Sequence, residues 1–301
     1  MRRRPWPATS LRSSRRQNTA SCSISDSRLR QVLTVRVQVP RDFQGNAPDL
    51  LAEKSGLSKV RIKDAMQKGA VWIIRGTRKA QRLRRITGEL RAGERLELYY
   101  DSDVVTRVAP AARLVDDQRR YSVWEKPPGL LVDGSRFGDH ATLIHQVTNY
   151  FRPARAAFLV HRLDLEASGL MVVAHNSPAA ARISALFRDR DIDKEYRIEV
   201  LGRFGEPSSH GAIELALDGK PCRTDYRIEF IHANGERTDV LVSMRSGRYH
   251  QIRRHFDLIG HPIMGDPKYG KGNQDPRGLR LRATRLAFTD PWTGELRNYG
   301  A

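Results

Sequence analysis

Short alternating apolar stretches, separated by hairpin-type turns, run through residues 112–301 and constrain the fold more than any other feature. In the clearest example, Ile228 and Phe230 alternate with polar residues in DYRIEF, and a similar stretch, DVLVSM, follows. Asn234-Gly235 lies between the two stretches and is a dipeptide favoured in hairpin turns. Because only a few helical stretches are interspersed, the pattern predicts an α+β domain with a mixed, mostly antiparallel sheet.

A smaller block, residues 37–101, carries a different pattern. Two short helical stretches meet at Ser55-Gly56, and Ser58 is suited to cap the second helix and Gly69 to end it. Strand-like stretches follow, among them ERLELYYD, in which leucines alternate with charged residues. The predicted organisation is a basic disordered tail at 1–36, a small α/β block at 37–101, a linker at 102–111 and the α+β domain at 112–301.

The formal net charge of +19 indicates a polyanionic partner. Residues 1–30 hold eight Arg and one Asp and so account for seven of these charges, which leaves most of the excess in the folded parts. That tail fits a targeting segment, a disordered arm or a start placed too far upstream. An acidic membrane is disfavoured as the partner, because the sequence has neither a basic helix with a wide apolar face nor an apolar run near the roughly 18 residues of a span. Nucleic acid is therefore expected.

Metal and disulfide chemistry are not expected. Cys22 and Cys222 are far apart and lack metal-type spacing, which favours a reducing compartment such as the cytoplasm. The spacing of four histidines suits no helical ligand pair, so they are interpreted as structural or RNA-contacting residues. These four are His161, His250, His255 and His261.

The small block is rich in basic residues. Between Arg61 and Arg85 the only acid is Asp64, and this bias favours phosphate contacts over an ordinary solvated surface. The pattern GLSKVRIKDAMQKGAV, followed by GERLELYYD, resembles the alpha-L RNA-binding motif, and this implies a helix pair that presents a basic face to structured RNA. The candidate RNA-binding residues are Lys59, Arg61, Lys63, Lys68, Arg78, Lys79 and Arg82.

The stretch HRLDLEASGL places an Arg and an Asp two positions apart, just before an apolar run. If the stretch is extended, Arg162 and Asp164 share one face, and the guanidinium favours the ionised form of the carboxylate. On these two residues alone, a structural ion pair at a strand end is the alternative. In an RNA-binding protein a lone carboxylate suits glycosyl chemistry, in which it stabilises or traps the cation that develops at the anomeric carbon.

Five separated blocks of the chain resemble, in order, the motifs of the RluA-type pseudouridine synthases. The blocks are KPPGLLV, HRLDLEASGLMVVAHN, KEY, SGRYHQIRRHFDLIGHPIMGDPKYG and LRATRLAF. The resemblance covers about residues 112–301. It implies the α+β pseudouridine synthase fold and an enzyme that converts uridine in RNA to its carbon-linked isomer, without a cofactor or a metal.

The resemblance also implies roles for individual residues. Asp164 would act on the ribose as the glycosidic bond breaks, either by attacking the anomeric carbon or by removing a neighbouring ribose proton. Tyr196 would stack on the base and help to remove the ring proton that must leave. Arg253 would pair with Asp164 and hold it ionised, with Arg248 as the alternative partner.

Two further residues would act when the target nucleotide leaves the stack, since a base inside RNA structure must be flipped out to react. Arg162 would fill the gap left in the stack, and Leu281 would pack against the uracil. The chain departs from the family pattern where Ala167 and Tyr249 stand in place of the usual threonines. Neither change removes a group that does chemistry, so activity is expected and target choice is more affected.

The rival interpretation is a non-catalytic RNA-binding or ribosome-assembly factor that keeps the fold. It explains the charge and the small block, but it gives no reason for an Asp beside an Arg in HRLDLE. Among RNA substrates, the small RNA-binding block favours large-subunit ribosomal RNA over transfer RNA, by analogy. A monomer is expected.

Overall fold

A computed structural model describes residues 30–244 and 247–300, which fold around two sheets. The helices are α1 Ala47–Ser55, α2 Lys59–Gln67, α3 Ser102–Val105, α4 Leu143–Tyr150, α5 Ser177–Asp189 and α6 Gln251–Leu258. The strands are β1 Val32–Gln38, β2 Val71–Ile74, β3 Gln81–Arg82, β4 Arg95–Asp101, β5 Arg113–Asp117, β6 Tyr121–Lys126, β7 Phe158–Leu159, β8 Ser168–Ala174, β9 Ile192–Leu201, β10 His210–Ile213, β11 Thr224–Ile231, β12 Arg237–Ser243, β13 Leu281–Thr289 and β14 Leu296–Tyr299. Among these described residues no helix has the length and apolar character that a bilayer crossing requires.

The smaller sheet has the strand order β1-β4-β2-β3, and all of its neighbouring strands are antiparallel. Helices α1 and α2 supply Leu51 and Ile62 to its core. The side chain of Ser58 caps α2 by accepting the backbone N–H of Arg61, and Gly69 follows the helix with a φ of 80°. The helix pair predicted from the sequence is therefore confirmed.

The smaller sheet begins earlier than the sequence pattern indicated. Strand β1 includes residues 32–36, which had been assigned to the basic tail. One face of β1 packs against the core of this sheet through Leu33, Val35 and Val37. Pairing with β4 stabilises this short alternating stretch as a strand. Residues 1–29 of the predicted tail lie outside the described residues, and α3 takes up the first part of the predicted linker.

The larger sheet has the order β10-β11-β12-β9-β13-β8-β6-β5, with β7 and β14 paired to β8 and β13. All neighbours are antiparallel except β8 and β13, which run parallel where Gly169 lies beside Ala283. The mixed, mostly antiparallel α+β architecture is thus confirmed. Gly169 has a φ of 116°, and a Cβ there would overlap the backbone of Ala283, so this junction requires glycine.

One local prediction for the larger sheet was wrong. Phe230 was expected to point inward, but it is 55% exposed. The register of β11 shifts between Ile228 and Phe230, and an extra residue at this point turns the ring outward. Helix α5 is capped by Asn176, whose side chain accepts the backbone N–H of Ala179.

An inter-sheet contact joins residues 133–140, which follow β6, to the smaller sheet. Asp139 accepts two hydrogen bonds from Arg84, at 2.5 and 2.6 Å, and pairs with Arg82 at 3.0 Å. The backbone N–H of Asp139 also donates to the carbonyl of Lys68 at 3.1 Å. These bonds fix the end of α2 and strand β3 against the larger sheet.

Candidate active site

The loop between β7 and β8, residues 160–167, carries Asp164. No strand is formed between Leu159 and Ser168, so the strand geometry on which a shared face depends is absent here. Arg162 is exposed, and within the described residues it makes no hydrogen bond or ion pair with Asp164 or any other group. The predicted pairing of Arg162 with Asp164 on a shared face was wrong, since the loop follows contacts with distant residues and not strand geometry.

Lys126, the last residue of β6, provides one of those contacts. Its ammonium is buried and donates to the carbonyl of Leu165 at 3.1 Å and to that of Ala167 at 2.6 Å. Burial lowers the pKa of Lys126 to about 8, while the charges of Asp164 and Glu166 act to raise it. The lysine therefore ties down the backbone on the carboxyl side of Asp164.

His161 anchors the other end of the loop. Its Nε2 accepts the backbone N–H of Val172 at 2.9 Å, and its ring stacks on Phe187 with centroids 4.3 Å apart. Burial lowers the pKa of His161 to about 3, and the charge of Lys194 acts in the same direction. A neutral, accepting imidazole is thus the form built into the fold, in agreement with a structural role for this histidine.

Arg253 projects from α6 to Asp164 and is only 2% exposed. One guanidinium nitrogen donates to Oδ2 of Asp164 at 2.9 Å, and two others donate to Asp266 at 2.7 Å each. Asp266 has a fully buried side chain. Burial lowers the pKa of Arg253, but the hydrogen bonds to Asp266 and Asp164 outweigh burial and raise it, so the guanidinium stays charged. Asp266 therefore fixes the orientation in which Arg253 meets Asp164.

His250 lies on the same side of Asp164. It precedes α6 with a left-handed φ of 51°, and its Nε2 is 3.6 Å from Oδ2 of Asp164. Its Nδ1 is 3.1 Å from the hydroxyl of Tyr269. Burial lowers the pKa of His250, although Asp164 opposes this shift, so the ring is neutral near pH 7.

Both close contacts of Asp164, with Arg253 and with His250, use the same oxygen, Oδ2. Oδ1 has no hydrogen-bond partner within the described residues, and the Asp164 side chain is 27% exposed. One carboxylate oxygen is thus held by a permanent cation while the other is open to a reactant. This asymmetry is the geometry that a carboxylate needs if it is to act on a bound sugar.

Tyr196 and Leu281 pack in one buried apolar cluster, and Tyr196 lies near enough to Asp164 to feel its charge. Strands β9 and β13 pair Tyr196 with Ala283 and Leu281 with Ile198, so these side chains share one face of the sheet. Both Tyr196 and Leu281 are buried in one hydrophobic cluster. Burial, reinforced by the charge of Asp164, raises the pKa of Tyr196, so its phenol is protonated at neutral pH.

Arg248, the alternative partner for Asp164, lies elsewhere. It is exposed, and its backbone N–H donates to the Gln251 side chain at 3.1 Å. Within the described residues its guanidinium forms no ion pair with Asp164, and Arg253 takes that position. Ser246, at the start of the same motif, lies outside the described residues.

The basic residues of the smaller sheet divide into two groups. Lys63, Arg78 and Lys79 are exposed and have no carboxylate partner in the part of the chain that the structure describes. The others bond to the protein itself: Lys59 to Asp49, Lys68 to Asp64, Arg61 to Gln31, and Arg82 to Asp139 in the inter-sheet contact. Arg82 is therefore the candidate whose side chain is least available to RNA.

Three residues at the site were not singled out from the sequence. Lys126 and Asp266 lie inside the quoted motifs KPPGLLV and GDPKYG, and His250 had only been called structural or RNA-contacting. A charged residue beside prolines or glycines, inside a motif, is the one signal that could have drawn attention to the first two. Their partners lie 41 and 13 residues away along the chain.

Much of the chain matches known proteins. Residues 120–258 match the family model described as RNA pseudouridylate synthase. A ribosomal large subunit pseudouridine synthase D from Yersinia pestis is 30% identical over 241 residues, which is 73% of this chain and 71% of that protein. An RNA pseudouridine synthase from Aquifex aeolicus (strain VF5), itself uncharacterised, is 29% identical over 79% of this chain and 83% of its own length.

A solved structure shares the fold as well. Human RNA Pseudouridylate Synthase Domain Containing 1 superposes with a TM-score of 0.54 and 25% sequence identity. The superposition covers 64% of this chain and 83% of the human one.

Proposed function

Since the chain belongs to the RluA-type RNA pseudouridylate synthases, we propose that it isomerises a specific uridine of large-subunit ribosomal RNA, with Asp164 as the catalytic carboxylate. The observation that carries this assignment is the asymmetric environment of Asp164. Oδ2 is held by Arg253, and Oδ1 has no hydrogen-bond partner in the part of the chain that the structure describes. The names of the relatives and the charge of +19 support ribosomal RNA as the substrate.

The reaction moves the uracil from one attachment to another and needs no external water. The bond between N1 and the anomeric carbon breaks, the freed uracil rotates, and C5 bonds to the same carbon. C5 then loses its proton and N1 gains one, so atoms and charge balance. Asp164 assists the first step, by attack on the anomeric carbon or by removal of a neighbouring ribose proton.

Tyr196 and Arg162 have different parts in this proposal. The raised pKa of Tyr196 disfavours a phenolate that takes the C5 proton, so its part is to stack on the uracil. Leu281 packs on the base from the same face of the sheet. Arg162, exposed and without a partner in the described region, is free to enter the stack that the flipped uridine leaves.

Release of tritium tests the proposal directly. A large-subunit ribosomal RNA transcript labelled at C5 of uracil is incubated with the wild type, with Asp164→Asn and with Glu166→Gln. Glu166 is the matched control, a carboxylate of the same loop that lies 3.6 Å from Arg253. We expect release by the wild type and by Glu166→Gln, and none by Asp164→Asn.

Other outcomes separate the rivals. Silence from all three proteins with undiminished RNA binding would favour the non-catalytic assembly factor. Release from transfer RNA transcripts, and not from the ribosomal transcript, would correct the substrate and keep the chemistry. Monomeric state and a cytoplasmic location stay predictions.

A further inference from the structure

Tyr249 is an aromatic side chain left in solvent next to the reactive carboxylate. It is 65% exposed, and its ring stacks on the His250 ring with centroids 3.8 Å apart and planes at 19°. His250 in turn is 3.6 Å from Asp164. One face of Tyr249 is therefore supported by a residue of the site, and most of the remaining ring surface is open.

Lys268 stands beside this ring. Its ammonium is 5.3 Å from the ring centres of both Tyr249 and Tyr269. Within the described residues no carboxylate side chain pairs with this exposed lysine. The turn that carries Lys268 is fixed, because Asp266 accepts the backbone N–H groups of Lys268 and Tyr269.

The backbone at His250 holds the ring in place. A non-glycine residue in the left-handed region is costly and persists where its surroundings hold it. Here the hydroxyl of Tyr269 and the carboxylate of Asp164 flank the two nitrogens of the His250 ring. The position of Tyr249 is thus coupled to the residues that line the reactive site.

We propose that Tyr249 and Lys268 form a nucleotide subsite next to the reactive pocket. The open face of Tyr249 stacks on a base that neighbours the flipped uridine, and Lys268 contacts the phosphate of that nucleotide. An exposed aromatic ring beside an unpaired cation is the combination that binds single-stranded nucleotides. The inference rests on the proposed function, since it places the RNA strand at Asp164. It makes an unpaired base beside the uridine a requirement for target choice.

Steady-state kinetics on the ribosomal transcript give the first test. Removal of a base–aromatic stack costs at least about fivefold in affinity, so Tyr249→Leu should raise KM about tenfold and leave kcat within about twofold. Tyr249→Phe should keep the wild-type KM. The matched control is Phe230→Leu, which removes a comparably exposed ring near the end of β11. This variant is expected to behave like the wild type. An unchanged KM for Tyr249→Leu, or a loss confined to kcat, would overturn the subsite.

A binding test does not depend on turnover. The probe is a single-stranded RNA decamer of uridines with one central 2-aminopurine, whose fluorescence falls when it stacks. The wild type and Tyr249→Phe should quench the probe, and Tyr249→Leu should not. Quenching that is absent in the wild type, or equal in Tyr249→Leu, would reject the subsite. Quenching that needs Tyr249, in a protein that releases no tritium, would reject the proposed reaction and leave the subsite standing.

Salt dependence tests the phosphate contact. Lys268→Gln should weaken binding of the decamer and reduce the slope of log affinity against log salt by about one. Lys271→Gln removes the same charge three residues later, from an exposed side chain outside the proposed subsite. Equal slopes for Lys268→Gln and Lys271→Gln would remove Lys268 from the subsite.

Discussion

Two aspartates allow a direct comparison at the scale of single residues. Asp266 binds Arg253, and Asp218 binds Arg254, each through both carboxylate oxygens. The first pair is buried and the second lies at the surface. Loss of one partner from a buried pair strands a charge, whereas exposed pairs contribute little.

We therefore expect Asp266→Asn to lower the free energy of unfolding by about 3 kcal/mol. Asp218→Asn, the matched control, should leave it unchanged within error. The measurement is urea denaturation followed by circular dichroism. Equal effects of the two substitutions would contradict the role assigned to Asp266.

His161 should give the protein an acid-sensitive component. Its pKa is about 3 in the fold and close to 6.5 in the unfolded chain, so between these values only the unfolded chain binds the proton. Stability contributed by this group is therefore full above pH 6.5 and is lost as the pH falls towards 3. In His161→Gln the loss between pH 6.5 and 4 should be smaller by up to about 1.4 kcal/mol per pH unit, measured by urea denaturation at each pH. Identical acid limbs would show that His161 is not the group responsible.

The role of a single residue was predictable where a sequence motif identifies it. It was much less predictable where the role depends on contacts made in the folded structure. Asp164 and Arg253 were identified from motifs, and the structure brings them to 2.9 Å. The expected Arg162 partner failed, because a two-residue spacing implies a shared face only when the backbone is a strand. Asp266 was missed because nothing local shows that its side chain reaches back to α6.

At the scale of elements, the sequence predicts whatever is encoded by neighbours along the chain. Capping and helix-ending residues located α1 and α2, and alternation located β4, β11 and β12. The bulge in β11 was not predicted. Strict alternation assigns every second residue to the same face, and the extra residue of a bulge breaks that rule. The loop of residues 160–167 was not predicted either, since Lys126 and Val172, which hold it, belong to other strands.

Gly169 links that loop to the parallel junction of β8 and β13. Gly169→Ala should destabilise the protein by more than about 1 kcal/mol and abolish tritium release, because the new methyl group would push β13 away from β8. Gly76→Ala is the matched control: Gly76 also has a positive φ, but no atom lies within 4 Å of its added Cβ. Denaturation and tritium release check both variants. Equal losses would mean that backbone strain, and not the junction, is responsible.

At the scale of the whole molecule, the sequence predicted the two sheets but not the inter-sheet contact that joins them. The charge pattern assigned Arg82 to RNA, but the structure uses this residue and Arg84 to hold Asp139. In sequence, a basic side chain that pairs with a carboxylate far along the chain cannot be told from one that contacts a phosphate. Lys63, Arg78 and Lys79 are the residues left to carry the proposed RNA contact.

The inter-sheet contact can be tested by proteolysis. Asp139→Ala removes the partner of Arg82 and Arg84, so the joining segment, residues 102–112, should become at least several-fold more sensitive to trypsin. Asp117→Ala breaks a pair of similar exposure, with Arg155, inside the larger sheet and serves as the control. The measurement is the rate of cleavage within this segment, identified by mass spectrometry. An equal rate in both variants would mean that the two sheets are held together by other contacts.

Asp266 balances the charge of Arg253 without help from Asp164. A descendant chain could therefore lose its reactive carboxylate by a single mutation and still be soundly built. Such a gene copy would be free to evolve towards a function that requires only RNA binding. The fold that positions the catalytic carboxylate thus does not need that carboxylate for its own stability.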